Sequence, residues 1–237
     1  MMVQRAIQVY ATLDDLVLAG VALWREMSRA AVAAHGCFRV ALAGGSTPKR
    51  LYAALAKEHG IPWESTWVFW GDERYVPPDH PDSNAGMAQA ALLNHVPIPK
   101  KQIFPWPTHS GDPWLDAAAY AATLRHVFGD SPTWDLLLLG MGDDGHTASL
   151  FPGTAAVQVQ NTWTTVGEKG GDPRLTLTFA ALNAARCAVI WVAGSGKAKR
   201  VQEVLSQAVG LPIQGIKPQG SLIWMLDGEA AAALPWV

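Results

Sequence analysis

The sequence predicts an α/β fold, with a mostly parallel sheet and helices on both faces. Three observations predict it. Short continuous apolar runs at 37–43, 66–70, 134–139 and 187–193 read as strands covered on both faces, as parallel strands are. Segments with apolar residues at helical spacing alternate with them, which is what crossover connections between parallel strands require. The chain of 237 residues is long enough for one such domain with a large core, so residues 1–237 are read as a single domain. The resulting architecture is doubly wound and Rossmann-like.

In order along the chain, residues 13–34 carry a helical apolar period, and 37–43 is a compact β-like run that ends at Gly44-Gly45. A helix is expected from about 48 to 58, with Thr47 as its cap and Pro48 at its first position. The strand at 66–70 is followed by a polar loop over 71–83, then by a helix over 85–93 that Ser83 or Asn84 caps. A helix near 114–128 precedes the strand at 134–139. Residues 174–179 alternate as a strand does, 187–193 is a buried-type strand, 197–208 is helical and 221–226 is the final strand. No repeat, low-complexity segment or linker interrupts the series.

Composition narrows the function. Eighteen Lys and Arg against 20 Asp and Glu give a net charge of −2, so no global field holds a nucleic acid and any anion must be met by a local site. Two cysteines, Cys37 and Cys187, exclude a disulfide framework and read as core thiols. The first ten residues lack the apolar centre and cleavage site of a signal peptide, and the run at 16–23 is too short to span a bilayer, so a cytoplasmic protein without membrane attachment is expected. The 11 tryptophans are scattered without a repeat, which favours packing over base stacking. The 7 histidines are dispersed and neither cysteine has a near partner, so no metal site is expected.

The chemistry concentrates at the carboxyl ends of the predicted strands, where sheets of this kind bind ligands. The strand at 134–139 empties into Gly140-Met-Gly-Asp-Asp-Gly-His146, which puts Asp143, Asp144 and an imidazole on one turn. His146 is the residue type that titrates nearest neutrality and is the candidate general base. The same stretch satisfies the G-x-G-x-x-G pattern, but two adjacent aspartates would repel a pyrophosphate and no strand with a terminal acid follows at the required distance, which makes a nicotinamide dehydrogenase a weak alternative. Gly44, Gly45, Ser46 and Thr47 join a strand to a helix start, where free N–H groups and the helix dipole suit a phosphate. Lys197 follows another strand and could add a point charge. That segment is not a Walker loop, since Trp191 stands at the first glycine and Ala198 at the magnesium-binding hydroxyl. Asp72, Glu73 and Arg74 lie at the end of the strand at 66–70 and either face the site or pair with each other or with a loop amide. Neither Ser46 nor Ser149 has a nucleophile-elbow context. His80 is expected to face solvent.

Four segments in this order, Leu42 to Pro48, Phe69 to Arg74 with His80 to Asn84, Gly140 to Pro152, and Arg174 to Thr176, resemble the 6-phosphogluconolactonase family. The resemblance spans most of the chain. It implies a fold similar to that of glucosamine-6-phosphate deaminase and hydrolysis of 6-phosphoglucono-δ-lactone without a cofactor, in the second step of the oxidative pentose phosphate pathway. His146 would be the general base, Asp144 its orienting partner, and Arg74 or a loop N–H the oxyanion donor. Gly44, Gly45, Ser46 and Thr47 would cradle the 6-phosphate with Arg174 and Lys197 as counter-charges, while Asp72 and Glu73 contact substrate. The partner is then a phosphorylated sugar lactone, for a monomer or small homo-oligomer. Two readings compete. Deaminases of the wider group resemble Asp-Gly-His-Ile-Ala-Phe-Asn-Glu-Pro, with glutamate where this chain has Phe151, and Asp-Glu-Tyr where it has Asp72-Glu73-Arg74. A non-catalytic sugar-phosphate-binding domain would have no use for His146.

Overall fold

The computed structural model describes residues 4–236. Six strands form one parallel sheet: β1 (Gln4–Tyr10), β2 (Phe38–Leu42), β3 (Thr66–Trp70), β5 (Leu136–Leu139), β8 (Cys187–Val192) and β9 (Ser221–Asp227). Their order across the sheet is β1-β9-β8-β5-β2-β3, and every pairing is parallel. β5 is buried at all four positions and β8 at all six, which is why both read as unbroken apolar runs. Helices α1 (Leu13–His35), α2 (Ser46–Leu55), α4 (Pro113–Phe128) and α6 (Ala198–Ser206) supply the long crossovers, with short helices α3 (Asn84–Ala88), α5 (Phe179–Leu182) and α7 (Gly228–Ala231) between them.

The termini of these helices are written in the sequence. Thr12 and Asp15 form a reciprocal capping box at the start of α1, and Gly36, with φ 81°, closes its end in the left-handed conformation that a side chain disfavours. Asp112 caps α4, with Pro113 as the first helical residue. One contiguous apolar cluster runs through the described residues. Aromatic pairs dominate part of it: Trp134 meets Phe69 edge-on with centroids 5.3 Å apart, and Phe69 stacks on Phe104 at 4.8 Å. Seven of the tryptophans are buried, in keeping with packing rather than base stacking. Among the described residues, no helix is long and apolar enough to cross a membrane.

A second, three-stranded antiparallel sheet of β4 (Asp72–Arg74), β7 (Asp172–Leu177) and β6 (Thr164–Lys169) lies beyond the carboxyl edge of the large one. Gly71 links the two, donating to the carbonyl of Leu42 at 2.9 Å and accepting from the amide of Leu177 at 2.9 Å. This sheet corrects the sequence reading in three places. The expected loop over 71–83 begins with a strand, the strand expected at 174–179 ends at Leu177 with Phe179 opening α5, and β6 was not anticipated. β1 was also missed: it is an edge strand whose residues are exposed or half-buried, so it carries no apolar run. α2 starts at Ser46 with Gly45 as its cap, so Thr47 lies inside the first turn and Pro48 at its third position. Cys187 is a core thiol, pushed up to about 11 by burial, but Cys37 is only half-buried. Residues 1–3, part of the segment read for a signal peptide, lie outside the described residues.

Candidate active site

β2 and β5 are neighbours in the sheet, yet the chain leaves β2 toward β3 on one side and β5 toward β8 on the other. That divergence opens a crevice at the strand ends, which is where α/β sheets bind ligands. A cavity of about 290 Å³ sits there, lined among others by Gly44, Asp72, Arg74, Asn84, His146, Lys169 and Lys197. A larger cavity of about 710 Å³ lies under the 204–217 segment, lined mostly by apolar side chains such as Leu211, Ile213 and Trp224. It holds none of the titratable cluster, so the smaller cavity is the site.

The turn after β5 is built around His146. The amide of Gly142 donates to the His146 carbonyl at 2.9 Å, and that of Gly145 to the Gly142 carbonyl at 3.0 Å. Gly145 adopts φ 80°, which returns the chain toward the cavity. Asp144 Oδ1 then lies 2.5 Å from His146 Nδ1 and accepts the His146 backbone N–H at 3.0 Å. Burial pushes the Asp144 carboxyl up, but these hydrogen bonds and the imidazole outweigh it and hold the group below the ordinary carboxylate range. The Phe151 ring packs on the imidazole with centroids 4.4 Å apart, leaving the His146 side chain 21 % exposed. With Nδ1 engaged by the carboxylate, Nε2 is the nitrogen left for chemistry in the cavity.

The next residues tie this turn to the small sheet. Ala148 is the one described residue other than glycine at positive φ, 45°, and it lines the cavity. It is held there because Ser149 donates its N–H to Thr176 Oγ1 at 3.1 Å and its hydroxyl to Asp72 Oδ2 at 2.7 Å. Desolvation pushes the Asp72 carboxyl up, opposed by the Ser149 bond and by Arg74, His146 and Arg174.

Asp72 and Glu73 point in opposite directions, as neighbours on a strand must. Glu73, expected at the substrate, is 2 % exposed and turned into the protein. Its carboxylate accepts the N–H groups of Asn84 and Ala85 at 2.7 Å and of Arg74 at 2.8 Å, and it meets the Ser83 hydroxyl at 3.3 Å. It is thus an anchor for the start of α3, where Ser83 is the cap. Glu73→Ala would leave several buried donors without an acceptor, each worth about 1–3 kcal/mol. A loss of about 3 kcal/mol or more in chemical denaturation is expected, and a change within error would remove the anchoring role.

The cations are distributed around the cavity. Arg74 Nη1 donates to the Asp82 carbonyl at 2.6 Å, and Lys197 Nζ pairs with Asp143 at 2.5 Å. The hydrogen bond and charge of Lys197 hold the Asp143 carboxyl low. Arg174 is the cross-strand partner of Arg74; it is not among the residues lining the cavity, but its charge acts on Asp72 at the cavity wall and its Nε is buried without a hydrogen-bond partner among the described residues. The Gly44 loop is pinned from beneath by buried Tyr52, whose hydroxyl accepts from the Ala43 amide at 3.0 Å and donates to the Ala43 carbonyl at 2.7 Å. No side chain caps the first turn of α2, so Ser46 and Thr47 present its N–H groups uncapped.

Two lining residues escaped the sequence reading as site groups. Asn84 was expected only as a helix cap, yet it is 2 % exposed, donates to the Asp72 carbonyl at 3.0 Å and lies so close to Gly44 that a Cβ there would sit 1.8 Å from Asn84 Oδ1. Lys169 comes from β6, whose only sequence signal was the Gly170-Gly171 pair that turns it into β7. Among the described residues, no group of three His, Cys, Asp or Glu side chains is arranged to hold a metal ion. His80 is exposed, accepting the Asp82 amide at 3.1 Å.

Residues 11–224 match the family model described as glucosamine-6-phosphate isomerases/6-phosphogluconolactonase. The 6-phosphogluconolactonase of Synechocystis sp. is 49 % identical over 211 residues, covering 86 % of this chain and 88 % of the relative. That of Mycobacterium tuberculosis is 36 % identical over 243 residues, covering 97 % and 98 %. Among solved structures, the 6-phosphogluconolactonase from Trypanosoma brucei has a TM-score of 0.88 at 32 % identity, covering 98 % of this chain and 99 % of its own. A monomeric glucosamine-6-phosphate deaminase has a TM-score of 0.82 at 18 % identity, covering 96 % and 99 %, a likeness of fold.

Proposed function

The chain belongs to the glucosamine-6-phosphate isomerase/6-phosphogluconolactonase family, and on that premise we propose that it hydrolyses 6-phospho-D-glucono-1,5-lactone to 6-phospho-D-gluconate by general-base activation of water at His146. This hydrolysis is the second step of the oxidative pentose phosphate pathway, and the expected cytoplasmic location goes with it. The observation that carries the mechanism is the Asp144–His146 pair at the cavity wall.

His146 Nε2 takes a proton from water as the oxygen attacks the lactone carbonyl carbon. Asp144, ionised, fixes the ring through Nδ1 and stabilises the imidazolium that forms. Negative charge develops on the carbonyl oxygen, where Arg74 or a loop N–H acts as donor. The tetrahedral intermediate then collapses, the bond from C1 to the ring oxygen breaks, and the imidazolium returns its proton to that oxygen, giving the alcohol and a carboxylic acid at C1 whose remaining proton is lost to solvent to leave the carboxylate. At the other end Gly44, Gly45, Ser46 and Thr47 offer N–H groups and hydroxyls to the 6-phosphate, with Lys197 as a counter-charge and Arg174 adding to the field. Asp72, which lines the cavity, accepts a substrate hydroxyl in this reading. Phosphate binding remote from the carbonyl serves to position the carbonyl against water.

Phe151 occupies the place where deaminases carry glutamate, and its ring supports the imidazole rather than moving protons. The test is acid release from freshly generated lactone, with spontaneous hydrolysis subtracted. Turnover well above background is expected. A rate equal to background, together with ammonia release from glucosamine 6-phosphate, would overturn the reading.

A further inference from the structure

Lys169 is the last residue of β6, followed by Gly170 and Gly171 with φ 62° and 93°, the left-handed conformations of a tight two-residue hairpin. The hairpin is fixed against the catalytic segment further down: Gly167 passes so close to Ser149 that a Cβ there would lie 2.2 Å from the Ser149 carbonyl oxygen. That approach sets the tip at the cavity, which Lys169 lines. Its Nζ lies 5.9 Å from the centroid of Phe151, the ring that packs on His146. The ammonium is therefore at the His146 end of the cavity, within reach of a flexible four-carbon stem.

Among the described residues Lys169 forms no ion pair, whereas Lys197 is held by Asp143 and Arg74 is tied to the Asp82 carbonyl. Its attractions are the face of Phe151, a weak contact for an exposed ammonium, and the through-space charge of Asp143, a carboxylate already paired with Lys197. The reaction supplies a stronger one. The lactone is neutral at C1, and both the oxyanion and the product carboxylate are negative there.

We propose that Lys169 is a further cation that meets the charge created at C1, joining the Arg74 or loop N–H donor by leaving the Phe151 face to bind the product carboxylate and the oxyanion that precedes it. This rests on the lactonase reading above. It assigns the hairpin a part in distinguishing the open acid from a neutral sugar phosphate, apart from the phosphate cradle.

The experiment compares inhibition of lactone hydrolysis by 6-phosphogluconate and by glucitol 6-phosphate, which has the same six-carbon chain with a hydroxymethyl group instead of the carboxylate. Wild type should bind the carboxylate compound more tightly. Lys169→Ala should weaken 6-phosphogluconate by about threefold to fivefold, the upper part of the range of an exposed ion pair, leave glucitol 6-phosphate nearly unchanged and lower kcat/KM for the lactone. Lys169→Arg should restore the preference. Equal weakening of both compounds would place Lys169 at the phosphate and overturn the proposal, as would no change in either, or a wild type that shows no preference while turning over lactone. A wild type that does not accelerate lactone hydrolysis would instead sink the functional reading on which the proposal stands.

Discussion

Replacing His146 with alanine should lower kcat for lactone hydrolysis by about 10²–10⁴-fold, the usual contribution of a positioned general base. The affinity for 6-phosphogluconate should change little. The two halves of this expectation come from different parts of the site. The imidazole is held for proton transfer by Asp144 at Nδ1 and by the Phe151 ring, and its Nε2 makes no contact that the fold needs. The groups expected at the phosphate lie on the Gly44 loop and at Lys197, anchored independently by Tyr52 and Asp143. Steady-state kinetics with background subtraction, alongside product inhibition, reads both quantities. Near-wild-type turnover would remove His146 from the proton transfer. A parallel loss of product affinity would mean that the imidazole holds substrate rather than activating water.

The strands that carry the site were legible because they are buried on both faces. β2, β3, β5 and β8 have no exposed side to interrupt their apolar runs, and each ends at a glycine or a polar turn, so the carboxyl edge of the sheet is legible in the sequence. β1 and the small sheet were not legible for the converse reason. An edge strand such as β1 alternates weakly, and β4 is three residues whose pairing partner lies about a hundred residues further on. The same non-locality explains the errors at individual residues. Asp72 and Glu73 look alike in a string, but a strand sends them to opposite sides, one to Ser149 at the cavity and the other to the start of α3. Arg174 sits beside Arg74 because register, invisible in sequence, pairs them across β4 and β7. Asn84 and Lys169 reach the cavity through packing between distant segments, at Gly44 and Ser149, that no local pattern announces.

Gly142→Ala should come close to the His146→Ala loss in kcat although it removes no functional group. A Cβ at this position would lie 2.0 Å from His146 Nδ1, 2.1 Å from His146 Cε1 and 2.8 Å from Asp144 Oδ1, so the imidazole, the carboxylate or both must move. Neither is free to swing aside, since the ring is fixed between Asp144 and Phe151 and Asp144 also accepts the His146 backbone N–H. Gly142 is not in the left-handed region, so alanine meets no backbone strain there and the penalty falls on the catalytic pair. Overpacking of this kind costs about 1–3 kcal/mol of stability, a modest change in the denaturation midpoint beside the catalytic loss. A displaced base is nearly as poor as an absent one, because proton transfer needs hydrogen-bond reach. The Gly142→Ala/His146→Ala double variant separates this account from its rival. If the added methyl acts through the imidazole, the double variant loses little beyond His146→Ala alone, since groups acting as a unit are not additive. If instead the Gly142 backbone contributes to binding the oxyanion on its own, the two losses multiply, and the donor to the developing charge is to be sought in the turn rather than at Arg74.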